Sequence, residues 1–385
     1  SLAFQPHFTA TASNIGYGWW SHDIGGHFFG TKDDELATRW VQLGTFSPLL
    51  RLHSGANEFT TKEPWSFAPE AATAMAAFLR LRHRLVPYLH TMNHRAAAGT
   101  PLVLPMYHRW PEAEQAYRVP NQYLFGTELM VAAITEPADR RTRLGRVAAW
   151  LPPGTWVDLL SDLVYDGDRE IHLHRDLTAI PVLAPAGAIV PLDGAEIPGN
   201  DPVNPEHLEV LVVAGADGAF TLVEDDGTRD GATSRTRLAF DQASGTFSVN
   251  PPDGPTGHLP AVRTWTVTFP AAGAAEPTVT VGGAEAVAEV RHQGTRLSVR
   301  VDDVPVAAPL TVSLGADPRP AGNDVRGRLF ALLDRAQIEY ELKSRVLKAA
   351  TRDRPLALRA AEVMALELEP ALAGAVAEVL LARAG

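Results

Sequence analysis

Helical spacing of apolar residues dominates the first hundred positions of the chain. Near the start, the apolar residues that recur at this spacing are Leu2, Phe4, Phe8 and Ala12. They predict the end of a helix, with Pro6 early in it, where proline is tolerated. The same periodicity predicts helices over residues 33–50 and 69–98, the second amphipathic and kinked at Pro87.

Two short apolar segments alternate with these helices. Residues 17–22, YGWWSH, and residues 49–53, LLRLH, predict short buried strands. Short strand, loop and helix in repeated order are typical of βα units. In such units the loops after the strands carry the chemistry, so we expect a functional site in these loops.

The pattern changes near Pro101. From there to about Leu314, short apolar runs alternate with Gly, Pro and Asp turns, which is typical of β-sandwich or jelly-roll modules. The polar, proline-bearing stretch at residues 193–207 favours an internal boundary. The predicted domains are residues 1–100, 101–198, 199–316 and 317–385.

The last domain is predicted to be a helical tail. It is rich in Ala, Leu, Glu and Arg, has an N-cap candidate at Asn323 or Asp324, and is broken at Pro355 and Pro370. Two apolar stripes comprise Leu329, Leu332, Leu333, Ala336 and Tyr340, then Leu356, Leu358, Val363, Leu366 and Leu368. Because exposed stripes are unfavourable in water, they predict an independent appendage that packs on itself, on the sheets or on a second copy in a homo-oligomer.

Composition narrows the class of protein and its partners. A chain of 385 residues predicts two to four domains, and 45% hydrophobic with 21% charged residues is an ordinary globular mixture. A formal net charge of −11 argues against nucleic acid or an anionic membrane as the main partner. With no cysteine, disulfides and thiolate chemistry are excluded. This fits a reducing compartment and predicts a cytoplasmic location, although many secreted bacterial proteins share this composition.

The strongest candidate chemistry lies in residues 18–30, GWWSHDIGGHFFG. Aromatic faces beside a carboxylate and imidazoles suit a flat, hydroxyl-covered ligand such as a sugar. The alternative is a core strand that ends in a tight glycine turn. On these residues alone, both interpretations stay open.

Together with other stretches, this segment resembles glycoside hydrolase family 31, the α-glucosidases and α-xylosidases. The stretches that carry the resemblance are WWSHDIGGHFFG, ELATRWVQLGTFSPLLRLHS, EPWSF, LRLRHRLVPYLHTM, GTPLVLPMYHRWPE, NQYLFGTELMVAAI, WLPPGTWVDLLS, IPVLAPAGAIVPL and FTLVEDDG. They follow the family's order, strongly over residues 1–230 and weakly over 230–315. The resemblance implies the C-terminal part of a (β/α)8 barrel, two β-sandwich domains and, outside the family pattern, the helical tail.

The resemblance also implies a sugar subsite and a carbohydrate substrate, without a cofactor or a metal. Its substrate-binding residues would be Trp20, Asp23, His27, Phe28, Arg51 and His53. Asp23 and His53 would bond sugar hydroxyls as acceptor and donor, and Arg51 would orient neighbouring carboxylates. The aromatic rings would pack on the sugar face. His27 departs from the family, whose members commonly have Phe there.

The catalytic carboxylates of the family are not recognisable in this chain. Retaining glycosidases need a nucleophile and an acid/base about 5 Å apart. The resemblance places them in a W-x-D-M-N-E-like motif and in a Gly-Asp motif ahead of the helix that opens this chain, and neither is found there. We therefore expect both carboxylates to lie upstream of Ser1, so that this chain supplies no catalytic residue and is inactive alone.

Other acids and histidines of this chain are poor candidates to replace the two catalytic carboxylates. Glu58 and Glu63 follow residues 49–53, which the resemblance places on the eighth strand of the barrel, but most loop carboxylates are solvated or paired with arginine. Residues 224–231, EDDGTRDG, lack the spacing of a calcium loop. His172 and His174 have no recognisable third metal ligand, so we expect them on a solvated strand face. Three functions stay open: part of a retaining α-glycosidase, a non-catalytic sugar-binding module, or an interaction protein that pairs through its tail.

Overall fold

The computed structural model describes residues 1–25, 30–197, 199 and 203–383. In these ranges helices occupy both ends of the chain, and mostly antiparallel strands occupy the middle. None of the helices in these ranges combines the length and the apolar character needed to cross a membrane.

Four α-helices form the N-terminal region: α1 (Gln5–Ala12), α2 (Asp34–Thr45), α3 (Pro69–Arg84) and α4 (Val86–Ala97). Pro6 lies in the first turn of α1, and Asp33 caps α2 by accepting a hydrogen bond from the Leu36 N–H at 2.9 Å. The helix expected over residues 69–98 is present but divided at Leu85, because Pro87 in the first turn of α4 has no N–H to donate. Short 3-10 turns cover Leu2–Phe4, Ser13–Ile15, Pro64–Ser66, Met106–His108 and Glu114–Tyr117.

The two short strands expected at residues 17–22 and 49–53 are not formed as strands. Instead, Ile24 and Leu52 make an isolated parallel bridge. A strand requires a run of such pairs, and within the described residues the pairing stops after this one. Trp19 is also 57% exposed, so the first segment is not uniformly buried. The prediction of strands was therefore wrong, although the two segments do lie side by side.

Nine strands follow the helices. They are β1 (Val103–Pro105), β2 (Gln122–Phe125), β3 (Leu129–Ala132), β4 (Gly145–Leu151), β5 (Thr155–Asp158), β6 (Val164–Asp166), β7 (Arg169–Arg175), β8 (Val182–Pro185) and β9 (Ile189–Asp193). The order β1-β2-β3-β8-β5-β6 forms one antiparallel sheet, and β4 pairs with β7 in a separate ribbon. Turns that contain Gly, Pro and Asp separate most of them, as the sequence indicates.

Ten further strands, together with β9, build one five-stranded and one six-stranded sheet. They are β10 (His207–Val212), β11 (Gly218–Asp225), β12 (Thr233–Asp241), β13 (Thr246–Val249), β14 (Val262–Phe269), β15 (Thr278–Val281), β16 (Ala284–Glu285), β17 (Glu289–Gln293), β18 (Arg296–Pro305) and β19 (Leu310–Ser313). One sheet has the order β17-β18-β14-β10-β9 and the other β11-β12-β13-β19-β15-β16, and only the β10–β14 pair of these described ladders is parallel. Strand β9 joins this region by pairing with β10.

The tail contains four helices: α5 (Val325–Arg335), α6 (Tyr340–Thr351), α7 (Leu356–Met364) and α8 (Pro370–Leu381). Asp324 is the N-cap of α5, where its carboxylate accepts from the Gly327 N–H at 2.8 Å. The apolar stripes pack against one another around Leu329, Leu333 and Val363, which are buried. Two members do not join this core: Tyr340 and Leu358 are respectively 84% and 52% exposed.

Helix α8 docks on the β4–β7 ribbon through a buried polar network. The Glu378 carboxylate accepts hydrogen bonds from Arg175 at 2.7 Å and from the Tyr165 hydroxyl at 2.6 Å. Arg175 also bonds Asp158 at 2.9 and 2.5 Å, and the Asn323 side chain pairs with both backbone groups of Val164. The sequence predicts that the tail packs on itself, on the sheets or on a second copy. The tail packs on itself and also shares buried charges with the sheet region, as the first two alternatives expect.

Candidate functional site

The parallel bridge between Ile24 and Leu52 places the candidate residues. The Ile24 N–H donates to the Arg51 carbonyl at 3.2 Å, and the His53 N–H donates to the Ile24 carbonyl at 3.3 Å. Successive side chains alternate between two faces of an extended backbone. Since Ile24 is buried in the core, the neighbouring Asp23, Arg51 and His53 belong to the opposite face.

Asp23 and Arg51 are in direct contact on this face. The Arg51 Nη2 donates to Asp23 Oδ1 in an ion pair, and the side chains of Arg51 and Asp23 are respectively 55% and 39% exposed. The pair is therefore open to water, and a polar ligand could approach it from this face. His53 is half-buried beside it. The role of the six candidate residues in sugar binding stays a prediction.

The turn after Asp23 depends on glycine. Gly25 has a φ of +94°, a left-handed conformation, and an added Cβ would lie 2.7 Å from Lys62 Cδ. Helix α2 approaches Ile24 closely from behind, since a Cβ on Gly44 would meet Ile24 Cδ1 at 2.4 Å. Gly25 and Gly44 therefore let the backbone of the candidate site lie between Lys62 and α2.

Trp20 lies in an aromatic cluster next to α1. Its ring meets Phe8 edge-on with centroids 4.6 Å apart and Tyr17 at 5.8 Å. Within the described residues, its buried Nε1 has no hydrogen-bond partner. Trp20 is half-buried, so one part of the indole packs on α1 and another part reaches the surface. His27 and Phe28, the other aromatic candidates, lie outside the described residues.

A buried histidine supports the bridge from below. His22 is 3% exposed, and its Nε2 lies 2.9 Å from Ser47 Oγ. Because Ser47 Oγ donates its own proton to the Leu43 carbonyl at 2.7 Å, it accepts from His22 Nε2–H. Burial lowers the pKa of His22 to about 4, against a smaller opposing effect of Asp23. His22 is thus a neutral structural residue.

Arg82 fixes the segment that leads into the site. Its guanidinium donates to the carbonyls of Thr45, Ser47 and Pro48 at 2.9, 2.7 and 2.8 Å. Burial lowers the pKa of Arg82 to about 10, which leaves it cationic at neutral pH. Carbonyls at a helix C-terminus lack intrahelical partners, and a cation there also complements the helix dipole. Arg82 therefore holds the end of α2 and the chain that continues to Arg51 and His53.

The other acids and histidines considered in the sequence have ordinary structural positions. Glu58 is exposed, and the half-buried Glu63 accepts from the Lys62 N–H at 3.1 Å. His174 is 9% exposed and bonds Glu378, so the expectation that it lies on a solvated strand face was wrong. The sequence reasoning missed a different cluster, formed by His90, His94 and Asp225. The His-x3-His spacing on α4 was the available signal, because residues four apart share a helix face.

Comparison with known families decides what this site belongs to. Residues 1–92 match the model of the glycosyl hydrolases family 31 TIM-barrel domain, and residues 99–190 match that of the glycosyl hydrolase family 31 C-terminal domain. Residues 1–92 and 99–190 are thus similar to two consecutive domains of glycoside hydrolase family 31. The resemblance found in the sequence is thereby confirmed, and all six candidate residues fall inside the first matched range.

Curated family 31 relatives match about half of the chain. An α-glucosidase 2 of Bacillus thermoamyloliquefaciens is 28% identical over 206 residues, covering 53% of this chain and 25% of the relative. An α-xylosidase of Saccharolobus solfataricus is 28% identical over 218 residues, with 55% and 29% covered. The chain therefore spans about a quarter of the length of these relatives.

Solved structures extend the likeness beyond residue 190. One of them is a family 31 dextranase of Flavobacterium johnsoniae, complexed with glucose. The match covers 81% of this chain and 42% of the dextranase chain, with a TM-score of 0.68 and 24% identity. At that identity the likeness shows the fold alone. An α-xylosidase of Xanthomonas citri covers 76% and 32% at a TM-score of 0.59 and 27% identity.

Proposed function

We propose that this chain supplies part of the sugar subsite of a retaining α-glycosidase that acts on terminal α-linked glucosides or xylosides. The observation that carries the proposal is the paired placement of Asp23 and Arg51 beside His53, inside the range that matches the family 31 barrel domain. The names of the relatives, an α-glucosidase and an α-xylosidase, support the substrate class.

The chemistry of the pair fits hydroxyl recognition. The Asp23 carboxylate accepts and the His53 ring can donate a hydrogen bond. Together they match a sugar hydroxyl, which both donates and accepts hydrogen bonds. Arg51 fixes the orientation of the Asp23 carboxylate through their ion pair. Hydrogen bonds of this kind accelerate a reaction when they tighten in the transition state. Trp20 would contribute an apolar face next to them.

The proposed architecture follows the family. Residues 1–100 would complete a (β/α)8 barrel, residues 101–198 and 199–316 would form two β-sandwiches, and residues 317–385 the helical tail. Support comes from the two family domain matches in this order and from the antiparallel sheets that follow α4. The pairing of β9 with β10 would tie the two sandwiches together.

The nucleophile and the acid/base are proposed to lie outside residues 1–385. The chain has no W-x-D-M-N-E-like stretch, and it spans about a quarter of its curated relatives. The test is an assay of the purified chain with an activated aryl α-glucoside and an aryl α-xyloside. We expect no turnover above the uncatalysed rate. Turnover that survives Asp23→Asn and repurification would contradict the proposed placement of the carboxylates.

A second candidate function is assembly through the tail. Four large hydrophobic side chains on its described surface are more than half exposed: Phe330 at 58%, Tyr340 at 84%, Leu358 at 52% and Met364 at 79%. Such residues favour an interface with a second copy of the chain. Light scattering would measure the mass of the chain and of a variant with Phe330→Ser and Met364→Ser. We expect the mass of the variant to fall toward that of a monomer, and a monomeric parent chain would contradict this role.

A further inference from the structure

A second cluster of chemically active side chains lies far along the sequence from the sugar subsite. His90 and His94 lie one turn apart on the same face of α4, and Asp225 ends β11. Each histidine Nε2 is 3.0 Å from Asp225 Oδ2, and the three atoms all lie within 4.8 Å of one another. Two imidazole nitrogens and one carboxylate oxygen therefore converge on one point.

From this convergence we infer that His90, His94 and Asp225 bind a divalent transition-metal cation of the zinc class. Imidazole nitrogen suits Zn²⁺, Co²⁺ and Ni²⁺, whereas Ca²⁺ and Mg²⁺ prefer sites made of oxygen. In a tetrahedral zinc site the ligand atoms stand roughly 3.3 Å apart, given metal–ligand distances of about 2.0–2.2 Å. The observed 3.0 Å separations reach that value with a small outward shift of the rings.

The orientation of the three groups suits this role. The two imidazole rings are inclined at 76° with centroids 5.0 Å apart, so their nitrogens approach the shared carboxylate from different directions. The second carboxylate oxygen of Asp225 accepts from the Gly227 N–H at 3.0 Å, which fixes the plane of the ligand. Because the three side chains are between 20% and 38% exposed, a water molecule has room to complete the coordination.

The charge of the cluster also favours a cation. Asp225 is followed by Asp226, whose carboxylate is engaged by Thr228 and Ala232 within the same loop. Metal binding requires a nitrogen lone pair on each histidine, so the metal would replace the two hydrogen bonds between the histidine Nε2 atoms and Asp225 Oδ2. A bound metal would thereby cross-link α4 to the sheet that contains β11.

Zinc titration of the intact chain tests this inference. The chain of residues 1–385, stripped with a chelator and dialysed, is titrated with Zn²⁺ alone near pH 7.5. We expect one Zn²⁺ per chain, and an affinity at least about tenfold weaker after His90→Gln or His94→Gln. The matched control is His292→Gln, which removes an exposed histidine on β17 and should bind as the parent does. Equal binding by all four proteins would overturn the site.

Two measurements on the unsubstituted chain guard against misfolding of the variants. Co²⁺ in place of Zn²⁺ should give the intense visible bands of a four-coordinate site. Zn²⁺ should also protect His90 and His94, but not His292, from acylation by diethyl pyrocarbonate, as read by mass spectrometry. Two results would show instead that the three side chains only hydrogen-bond to one another and bind no metal. These are the weak bands of octahedral, aqueous Co²⁺, and acylation of His90 and His94 at the same rate with and without Zn²⁺.

Discussion

Glu378 accepts two hydrogen bonds from His174, one from its backbone N–H at 2.6 Å and one from its ring Nδ1 at 2.9 Å. The two residues are 204 positions apart, yet both are buried. The same carboxylate neutralises Arg175, so the docking of α8 rests on a charge network rather than on apolar contact alone. A buried network of this kind is strongly sensitive to the loss of one member.

Glu378→Gln should therefore lower the free energy of unfolding by about 3–5 kcal/mol, because it leaves Arg175 with less opposite charge in a buried site. Urea unfolding followed by circular dichroism measures the change. The control is Glu369→Gln at the start of α8, where the side chain is 69% exposed and faces Arg141 at 3.5 Å. That variant should change stability by less than about 1 kcal/mol. Equal effects of both substitutions would contradict the network.

The same carboxylate predicts an acid-sensitive tail. Burial alone would raise the pKa of Glu378, but Arg175 and the His174 hydrogen bond outweigh it and lower the pKa in the folded state. The stabilisation is therefore present above the carboxyl's ordinary pKa and is lost as the pH falls through the lower, folded value. Hydrogen exchange should show protection of α8 falling in acid before that of β12. Protection that falls equally in both elements would contradict this order.

His22 predicts a second pH effect in a higher window. Its folded pKa of about 4 lies below the ordinary 6.5, so the unfolded chain binds a proton that the folded chain does not. Stability should then decrease by about 2.5 kcal/mol between neutral pH and pH 4.5 through this residue. His22→Gln keeps a donor for Ser47 and removes the titration, which should flatten this part of the profile. His292→Gln should leave the profile unchanged.

Arg82 is expected to be essential for the stability of the chain around Ser47. Arg82→Met removes three hydrogen bonds to carbonyls and should cost at least about 2 kcal/mol in unfolding free energy. Arg82→Lys should recover part of this loss, because an ammonium can still donate to some of these carbonyls. The exposed Arg80 on the same helix provides the control, and Arg80→Met should have little effect. Unchanged stability of the Arg82→Met variant would mean that the chain around Ser47 keeps its conformation without the Arg82 hydrogen bonds.

The sugar subsite is tested in an enzyme that joins this chain to the rest of a family 31 barrel. Asp23→Asn and His53→Ala should each lower kcat/KM by at least about tenfold, as expected for hydrogen bonds that tighten in the transition state. Glu58→Gln, in the exposed loop after the bridge, should leave it unchanged. Melting temperatures separate a catalytic loss from unfolding. Wild-type kinetics in both variants would assign Asp23 and His53 a structural role only.

Periodicity in the sequence was sufficient for most of the helices. Helices α2 and α3 follow from apolar residues on one face, and Asp324 was recognisable as a cap because capping is local. Strand β12 likewise has alternate residues buried. By contrast, residues 17–22 carry a strand-like composition without forming a strand, because pairing depends on neighbours that composition does not reveal.

Long-range charge pairing was not predictable in the same way. Glu378 stands in an Ala- and Leu-rich helix, where a lone acid is normally assigned to solvent. Its partners lie about 200 residues earlier, and only the folded backbone brings them together. Likewise, His90 and His94 were visible as a spaced pair, but Asp225 becomes their neighbour only through the packing of α4 on β11. The contact between Asp23 and Arg51 depended on a single bridge in register.

The docking of α8 also sets an order of events during synthesis. Arg175 leaves the ribosome 203 residues before Glu378, a delay of roughly 10 to 40 s at ordinary rates of translation. Throughout that interval the nascent β4–β7 ribbon holds a cation with Asp158 as its acidic partner and without Glu378. The ribbon must therefore stay hydrated, and accessible to chaperones, until the last helix emerges. A messenger RNA truncated before the codon for Glu378 would yield a chain that quality control can recognise by this exposed charge.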